Sequence, residues 1–397
     1  MGCENTSDIL QIDLLKGLAI ISVIIGHIVA YQAVINSQIF PQVVSNVTEQ
    51  IVDIPILMQI NYHFINLLNP DTIYKIFTSW ITYSALFTQQ VIPIFIIIMS
   101  FNMSLAFCRR GYSELKKFYS LNELKRKFRR YFIPYIFIFA ISLILGFIFF
   151  LTTNRQILYL NFRLIMGYLP IDGPGNYFIS LIIQMILLFP LIYIFFKYNK
   201  NVCLILGFFL AFMCEIGNNF GTNGIWYTDS LVRFLPHIIL GIWISDLYLA
   251  SELKNKYFIL FGIFSGFYLI FMSQFENGIL GGIHFIPYTA SQNLFSSGWS
   301  ALILIIGLMF LPKEKSFLTK PVAIIGKASY HIYLIQIVYF GLVGSFGLKY
   351  HSLFDLFSIN NITIIGISLS IVILSGIVFY LLDKLNFFIR FNHKTLN

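Results

Sequence analysis

Long uninterrupted runs of apolar residues, separated by short polar stretches, extend over the whole chain. Their lengths fit single membrane crossings, since a helix needs about 20 apolar residues to cross a bilayer. We see neither the alternating short segments of a membrane β-barrel nor an internal repeat. The pattern predicts ten helical spans, near residues 14–34, 84–107, 131–152, 177–196, 201–215, 231–249, 257–273, 294–312, 322–346 and 361–382.

The composition indicates that most of the protein's apolar surface is in contact with lipid. Of the 397 residues, 58% are hydrophobic and 11% are charged, against about 25% charged in an ordinary soluble domain. This excludes a soluble globular enzyme. Because a backbone in lipid must satisfy its own hydrogen bonds, the predicted fold is an all-α integral membrane bundle of about ten transmembrane helices. The segment at 201–215 is short and ends at Glu215, so nine crossings are the alternative.

The positions of the basic residues predict the orientation of the chain. The net charge is +9, and if ten helices alternate from an inner N-terminus, twenty Lys and Arg lie inside and four lie outside. Cytoplasmic loops carry such an excess, so we expect both termini in the cytoplasm, a multi-pass protein of the plasma membrane, and no nucleic-acid partner. One domain should cover 9–382, with a short cytoplasmic tail at 383–397. The four cysteines have no metal-ligand spacing with histidine, so no metal is expected.

The first predicted span carries three ionisable residues, Asp13, Lys16 and His27. Lys16 and His27 are eleven positions apart, about 1100° of rotation, so both project from one helix face with His27 roughly 16 Å further along. Asp13 precedes Lys16 by one turn and can pair with it. A snorkelling ion pair and an interhelical hydrogen bond are the structural alternatives. An imidazole at membrane depth also suits general-base chemistry, so we predict a catalytic His27 accompanied by Asp13 and Lys16.

A second cluster of charge lies in the predicted inner loop before the third span. Nine Lys and Arg fall between Arg109 and Arg130, against two Glu. Arg126 and Arg129 are three positions apart, as are Lys127 and Arg130, so the members of either pair would share a helix face. Guanidinium groups bind phosphate oxygens two at a time, which favours a polyphosphate ligand here. Anchoring to anionic membrane lipid is the alternative interpretation.

Six motifs, in this order and spacing, resemble the membrane-bound acyltransferase 3 family, whose members O-acylate cell-surface sugars. This chain departs from the family pattern where Lys16 replaces Arg, where Met99-Ser100 replaces Ser-Gly, and where Gln336 replaces a frequent His. The resemblance covers about residues 9–382. The motifs are D-x-x-K-G-x-A at 13–19 with His27, P-I-F leading to Ser100-Phe101, a basic pair before Ile133-Pro134-Tyr135, G-P-G-N-Y-F at 173–178, L-P-H-I-I-L-G at 235–241, and G-K-A-S-Y-H-I-Y-L-I-Q at 326–336.

The resemblance implies an acyl-CoA donor, usually acetyl-CoA, at the inner face and a sugar hydroxyl, polymeric or lipid-linked, as the acceptor. The donor diphosphate would rest on the cations at 126–130, and its arm would extend beside the first helix to His27. His27 would then deprotonate the acceptor or carry the acyl group itself, while Asp13 and Lys16 orient the arm. Membrane lipid is the remaining expected partner. The alternative function is export of a polysaccharide or lipid-linked glycan through a conduit lined by Lys16 and His27.

Overall fold

A computed structural model gives the arrangement of the helices. It describes residues 9–39, 86–87, 90–111, 115–153, 157–158, 162–171, 173–220, 230–277, 286–347 and 361–385. In these ranges the chain is helical apart from turns and one isolated bridge between Leu158 and Ile171. This confirms the predicted all-α membrane bundle. The predicted tail at 383–397 lies outside the described residues beyond Leu385.

The helices follow the predicted apolar runs in order. A single-turn 3₁₀-helix at Leu231–Phe234 leads into the eighth. The helices are α1 Leu10–Ile39, α2 Val91–Arg109, α3 Leu115–Phe118, α4 Leu121–Lys127, α5 Ile133–Thr153, α6 Tyr177–Tyr198, α7 Lys200–Phe220, α8 Leu235–Leu249, α9 Lys256–Asn277, α10 Ile286–Phe310, α11 Thr319–Lys327, α12 Ser329–Gly347 and α13 Asn361–Lys384.

Within the described residues, eight helices are long and apolar enough to cross a membrane. The short predicted segment at 201–215 lies in one of them, because α7 is apolar over Lys200–Gly217. Helices α11 and α12 are bent by 70° and would make a ninth span, and the apolar part of α9 covers only Lys256–Met272. Nine of the ten predicted runs therefore overlap one α-helix each, and the run at 322–346 is divided between α11 and α12. The number of crossings and the side of the termini stay predictions.

Helix α1 is packed tightly against α11. A Cβ atom at Gly17 would lie 2.3 Å from the carbonyl oxygen of Val322, and a Cβ at Gly326 would lie 1.7 Å from that of Asp13. Glycine is therefore the residue that permits the two backbones to meet. Since α1 also contacts α2, α10, α12 and α13, it lies between the second helix and the last helices of the chain.

Candidate functional site

His27 lies in the apolar part of α1 and faces α12. Its ring packs edge-on against Phe340, with 5.6 Å between the ring centroids, and the Gln336 side chain lies beside it one turn earlier in α12. Nδ1 of His27 and both amide atoms of Gln336 are buried without a hydrogen-bond partner among the described residues. Since such buried groups are rare and each costs about 1–3 kcal/mol, this pair requires a functional explanation.

The loop before α6 fixes the position of α12 beside His27. A Cβ at Gly173 would lie 1.9 Å from the carbonyl oxygen of Ile337, so the two backbones are in direct contact. Gly175 adopts a φ of +84°, and its carbonyl oxygen accepts a 2.6 Å hydrogen bond from the Tyr333 hydroxyl. Phe178 packs edge-on against the Tyr333 ring at 4.9 Å. The G-P-G-N-Y-F motif therefore holds the stretch of α12 that carries Gln336.

Asp13 joins the start of α1 to the end of α11. One carboxylate oxygen lies 3.6 Å from Nζ of Lys16, and the other lies 3.8 Å from Nζ of Lys327. The first contact confirms the predicted pairing of Asp13 with Lys16. The second was not predicted, because Lys327 lies more than three hundred residues further along the chain. Through Lys327, Asp13 therefore helps to hold α1 to α11, while Lys16 pairs with it from within α1.

The basic segment before α5 is organised around Glu123. Both oxygens of this buried carboxylate accept hydrogen bonds of 2.9 Å from Arg110, and one also pairs with Arg126. Lys127 points the other way, into the bundle, where its Nζ donates to the carbonyl oxygen of Ile186 at 3.4 Å. The predicted phosphate-binding cations therefore do not all face one ligand, since Lys127 is buried and Arg126 is held by Glu123.

The remaining two cations, Arg129 and Arg130, lie in a π-helix at Phe128–Phe132 that connects α4 to α5. Both are exposed, and the Arg130 guanidinium lies 5.5 Å from the centroid of the Tyr131 ring. A π-helical turn inserts extra backbone, so residues three apart no longer keep the α-helical phase. Neither predicted pair is preserved as a unit, and the exposed side chains are Arg126, Arg129 and Arg130.

Helix α12 connects this basic segment with His27. The Tyr330 hydroxyl donates a 2.8 Å hydrogen bond to the carbonyl oxygen of Tyr131 in the π-helix, whereas Phe340 contacts His27. Ten residues of α12 separate the two contacts, about 15 Å along its axis. Beside Tyr330 lies a narrow apolar crevice of about 10 Å³, lined also by Tyr131 and Tyr135. A donor molecule reaching His27 along this path would displace these aromatic rings.

A polar cavity of about 50 Å³ lies where α2, α6 and α8 begin, with α10 along one side. Six polar or aromatic-hydroxyl side chains line it, together with Pro93 and Phe234. In a chain this apolar, such a cluster is unusual, because buried polar groups in a membrane domain are costly. The six side chains are Gln90, Tyr177, Arg233, Gln292, Asn293 and Ser296.

The charge in this polar cavity is neutralised by a buried carboxylate. Glu215 of α7 is 4% exposed, and its Oε1 lies 3.6 Å from Nε of Arg233. Asn293 donates a hydrogen bond to the same oxygen through Nδ2. No sequence spacing indicates this contact between Glu215 and Arg233, because they belong to different helices.

The buried histidines of α8 and α12 have interhelical partners. Nε2 of His237 lies 3.1 Å from the hydroxyl of Ser296, and Nε2 of His331 lies 3.0 Å from a carboxylate oxygen of Asp383. Nδ1 is buried without a hydrogen-bond partner in all three histidines. His27 differs from the other two in the side chain beside it, because both amide atoms of Gln336 also lack a hydrogen-bond partner in the described structure. Gln336, which sequence reasoning noted only as a departure from the family pattern, is therefore the residue added to the site.

Comparison with known proteins gives a family but no individual relative. A family model described as an acyltransferase domain matches residues 9–381, which is nearly the whole chain. No curated protein and no solved structure gives a significant match. Within the described part of the chain, no group of three or more His, Cys, Asp or Glu side chains is arranged to hold a metal ion.

Proposed function

Because the chain belongs to the acyltransferase 3 family, we propose that it moves an acyl group from a cytoplasmic acyl-CoA to a sugar hydroxyl inside the membrane. The observation that supports this site is the contact of half-buried His27 with buried Gln336, whose polar atoms include three that are buried without a hydrogen-bond partner in the described structure. An imidazole and an amide together can accept a proton and donate a hydrogen bond. These are the two functions that acyl transfer needs.

In the proposed reaction, a ring nitrogen of His27 takes the proton of the acceptor hydroxyl. The hydroxyl oxygen attacks the thioester carbon, and the Gln336 N–H donates a hydrogen bond to the oxyanion that forms. The carbon–sulfur bond then breaks, and the proton passes from His27 to the leaving thiolate. The products are the O-acyl sugar and free CoA thiol. An acyl-imidazole intermediate on His27 is the alternative route, and the general-base route needs only one well-placed nitrogen.

The donor would bind at the cytoplasmic end of the bundle, with acetyl-CoA as the proposed donor. Arg129 and Arg130 are exposed beside the start of α5 and would hold the diphosphate. Arg126, which is paired with Glu123, would lie at the edge of this site. Lys127 would support this segment from inside through its bond to Ile186. The acyl-pantetheine arm would follow α12, displacing the aromatic rings in the crevice. Asp13 and Lys16 would position α1 along this path.

We place the enzyme in the plasma membrane with both termini in the cytoplasm, which follows from the distribution of its cations. The domain would cover 9–382, followed by the tail at 383–397. The acceptor would be a polymeric or lipid-linked sugar of the cell envelope. It would approach His27 from the end of the bundle opposite the basic segment.

The test is acyl transfer by purified protein reconstituted in liposomes. Radiolabelled acetyl-CoA and a candidate glycan are supplied, and label in the glycan is compared between wild type and His27→Ala. Loss of a general base should lower the rate about 10²–10⁴-fold, with the melting temperature unchanged. His331→Gln is the matched control, because it replaces a buried imidazole outside the proposed site and keeps a partner for Asp383.

Equal transfer rates in His27→Ala and wild type would overturn the proposal. Sugar flux into liposomes without consumption of the donor would instead support the export function. Rapid quenching separates the two routes through His27, because only the acyl-imidazole route leaves label on the protein.

A further inference from the structure

None of the side chains that line the polar cavity at the start of α2, α6 and α8 takes part in the proton transfer or oxyanion binding proposed for His27 and Gln336. The polar cavity is built from amide, hydroxyl and guanidinium groups in a domain that is otherwise strongly apolar. Gln90, Asn293 and Ser296 are each less than 5% exposed, so they are not ordinary surface residues. Polar groups at this depth are costly unless a ligand or a function requires them.

The side chains of the polar cavity are held in fixed positions by their neighbours. Ser296 bonds to both His237 and Gln90, which ties α10 to α8 and to the start of α2. Asn293 is tied in the same way to Glu215 of α7. A site whose polar groups are fixed in advance binds with a smaller loss of conformational entropy.

The charge balance of the polar cavity selects the kind of ligand. Its one cationic lining residue in the described structure is Arg233. The carboxylate of Glu215, which lies outside the lining, is 3.6 Å from the Arg233 guanidinium, so the pair together carries no net charge. A phosphate or a uronate would meet no uncompensated cation here. Amides, a hydroxyl and the Tyr177 ring are instead suited to the hydroxyl groups and the apolar face of a neutral sugar.

The polar cavity is connected to the surroundings of His27 through a few residues of chain. Tyr177 lines it, and the loop immediately before Tyr177 packs against α12. In that loop, Gly175 bonds to Tyr333 and Gly173 contacts the backbone of Ile337, next to Gln336. A sugar held at Tyr177 would therefore lie one loop away from the proposed reacting groups.

From these observations we infer that the polar cavity is the acceptor subsite and that it selects a neutral sugar over an anionic one. This inference rests on the proposed function, because it assigns the acceptor of that reaction. The volume of about 50 Å³ admits a few water-sized groups, so the cavity takes the hydroxyl-bearing edge of one sugar residue. The rest of the glycan would extend beyond it.

Two neighbouring serines of α10 provide a matched test. Ser296 lines the polar cavity, whereas Ser297 is buried but bonds to the carbonyl oxygen of Leu294 in its own helix. The variants are Ser296→Ala, Gln292→Leu and the control Ser297→Ala. Each is assayed in liposomes with labelled acetyl-CoA and a panel of neutral methyl hexosides, with methyl glucuronoside as the anionic counterpart. Binding of the same tritiated sugars is measured by equilibrium dialysis.

We expect Ser296→Ala and Gln292→Leu each to raise the KM for the best hexoside about tenfold, the effect of losing one good hydrogen bond. The KM for acetyl-CoA should change less than twofold, and Ser297→Ala should behave as wild type. Gln292→Leu keeps the test valid if Ser296→Ala misfolds, because its side chain is close in size to the amide it replaces.

The inference is overturned if both cavity variants keep the wild-type KM and dissociation constant, or if the glucuronoside is the better substrate and ligand. It also fails if wild type cleaves acetyl-CoA in a His27-dependent manner but binds no hexoside. If His27→Ala leaves thioester cleavage unchanged, the proposed function fails instead. Hexoside binding that is weakened by the cavity variants would then still support a sugar site.

Discussion

Helix α1 carries two polar groups of opposite character. Near its start, Asp13 contacts a lysine on its own helix and another on α11, and the two backbones meet at Gly17 and Gly326. Further along, His27 faces Gln336, and three of their polar atoms are buried without hydrogen-bond partners in the described structure. The presence of an ionisable residue in this membrane helix therefore does not by itself indicate a catalytic role. The completeness of its bonding separates a structural group from a reactive one.

The largest effect should come from removing the close approach at the structural end. Gly326→Ala would place a Cβ atom 1.7 Å from a backbone oxygen, so α1 and α11 must separate. Overpacking of this kind costs typically 1–3 kcal/mol and occasionally more, and here no flexible side chain can yield. We expect a fall in melting temperature or in the yield of monodisperse protein in detergent. Gly217→Ala is the control, because nothing lies within 4 Å of its Cβ position.

Asp13→Asn should weaken the same end without changing its shape. The change removes the negative charge that contacts Lys16 and Lys327, and the Asp13 side chain is only 13% exposed. We expect the free energy of unfolding to fall by roughly 1–3 kcal/mol, a value between those of exposed and of buried ion pairs. Asp246→Asn is the control, since its pair with Lys197 is much more exposed and should cost less than about 1 kcal/mol. Chemical unfolding in detergent measures both. If Asp13→Asn lowered the rate of acyl transfer as much as His27→Ala and left the stability unchanged, Asp13 would not be a structural residue and the distinction between the two ends of α1 would be wrong.

Gln336→Leu should have opposite effects on stability and activity. Replacing an unpaired buried amide by an apolar group of similar size removes its desolvation cost, so we expect the protein to be more stable by about 1 kcal/mol. Acyl transfer should fall at least about tenfold, because the oxyanion loses its donor. Gln184→Leu is the matched control. Its amide oxygen accepts from the backbone of Leu231 at 2.9 Å, so losing it should destabilise the protein.

The smallest effect should come from the exposed cations. Arg129→Gln should raise the KM for acetyl-CoA about fivefold with little change in kcat, because one charge-assisted contact to the diphosphate is lost. Lys125→Gln removes an exposed charge from α4, outside the proposed donor site, and should change KM less than twofold. Equal effects of the two variants would indicate bulk electrostatic attraction or binding to anionic lipid.

Local features were predictable from the sequence. The apolar runs gave the positions of the helices, because a helix that crosses lipid must be apolar along most of its length. The three-residue spacing of Asp13 and Lys16 gave their contact, since helical neighbours follow from periodicity alone.

Contacts between distant helices were not predictable, because apolar periodicity does not specify which helix packs on which. Lys327 beside Asp13 and Glu215 beside Arg233 are such contacts. The π-helix at Phe128–Phe132 explains why spacing could not choose between the two basic pairs. The wider π-helical turn rotates the side chains that precede it relative to those that follow it. No residue type in that stretch is characteristic of a π-helix, so the sequence does not predict the turn.

The packing of α1 against α11 affects how the protein folds during its synthesis. The ribosome completes α1 first, and at about 5–20 residues per second it needs roughly 15–60 s more to reach Gly326. During that interval Lys327 has not been synthesised, so Asp13 can pair with Lys16 but not with Lys327. The helix face at Gly17 also lacks the α11 residues that cover it in the folded protein. A chain truncated before α11 should therefore insert α1 into the membrane without the partner against which it packs. We expect such a chain to be degraded by membrane proteases.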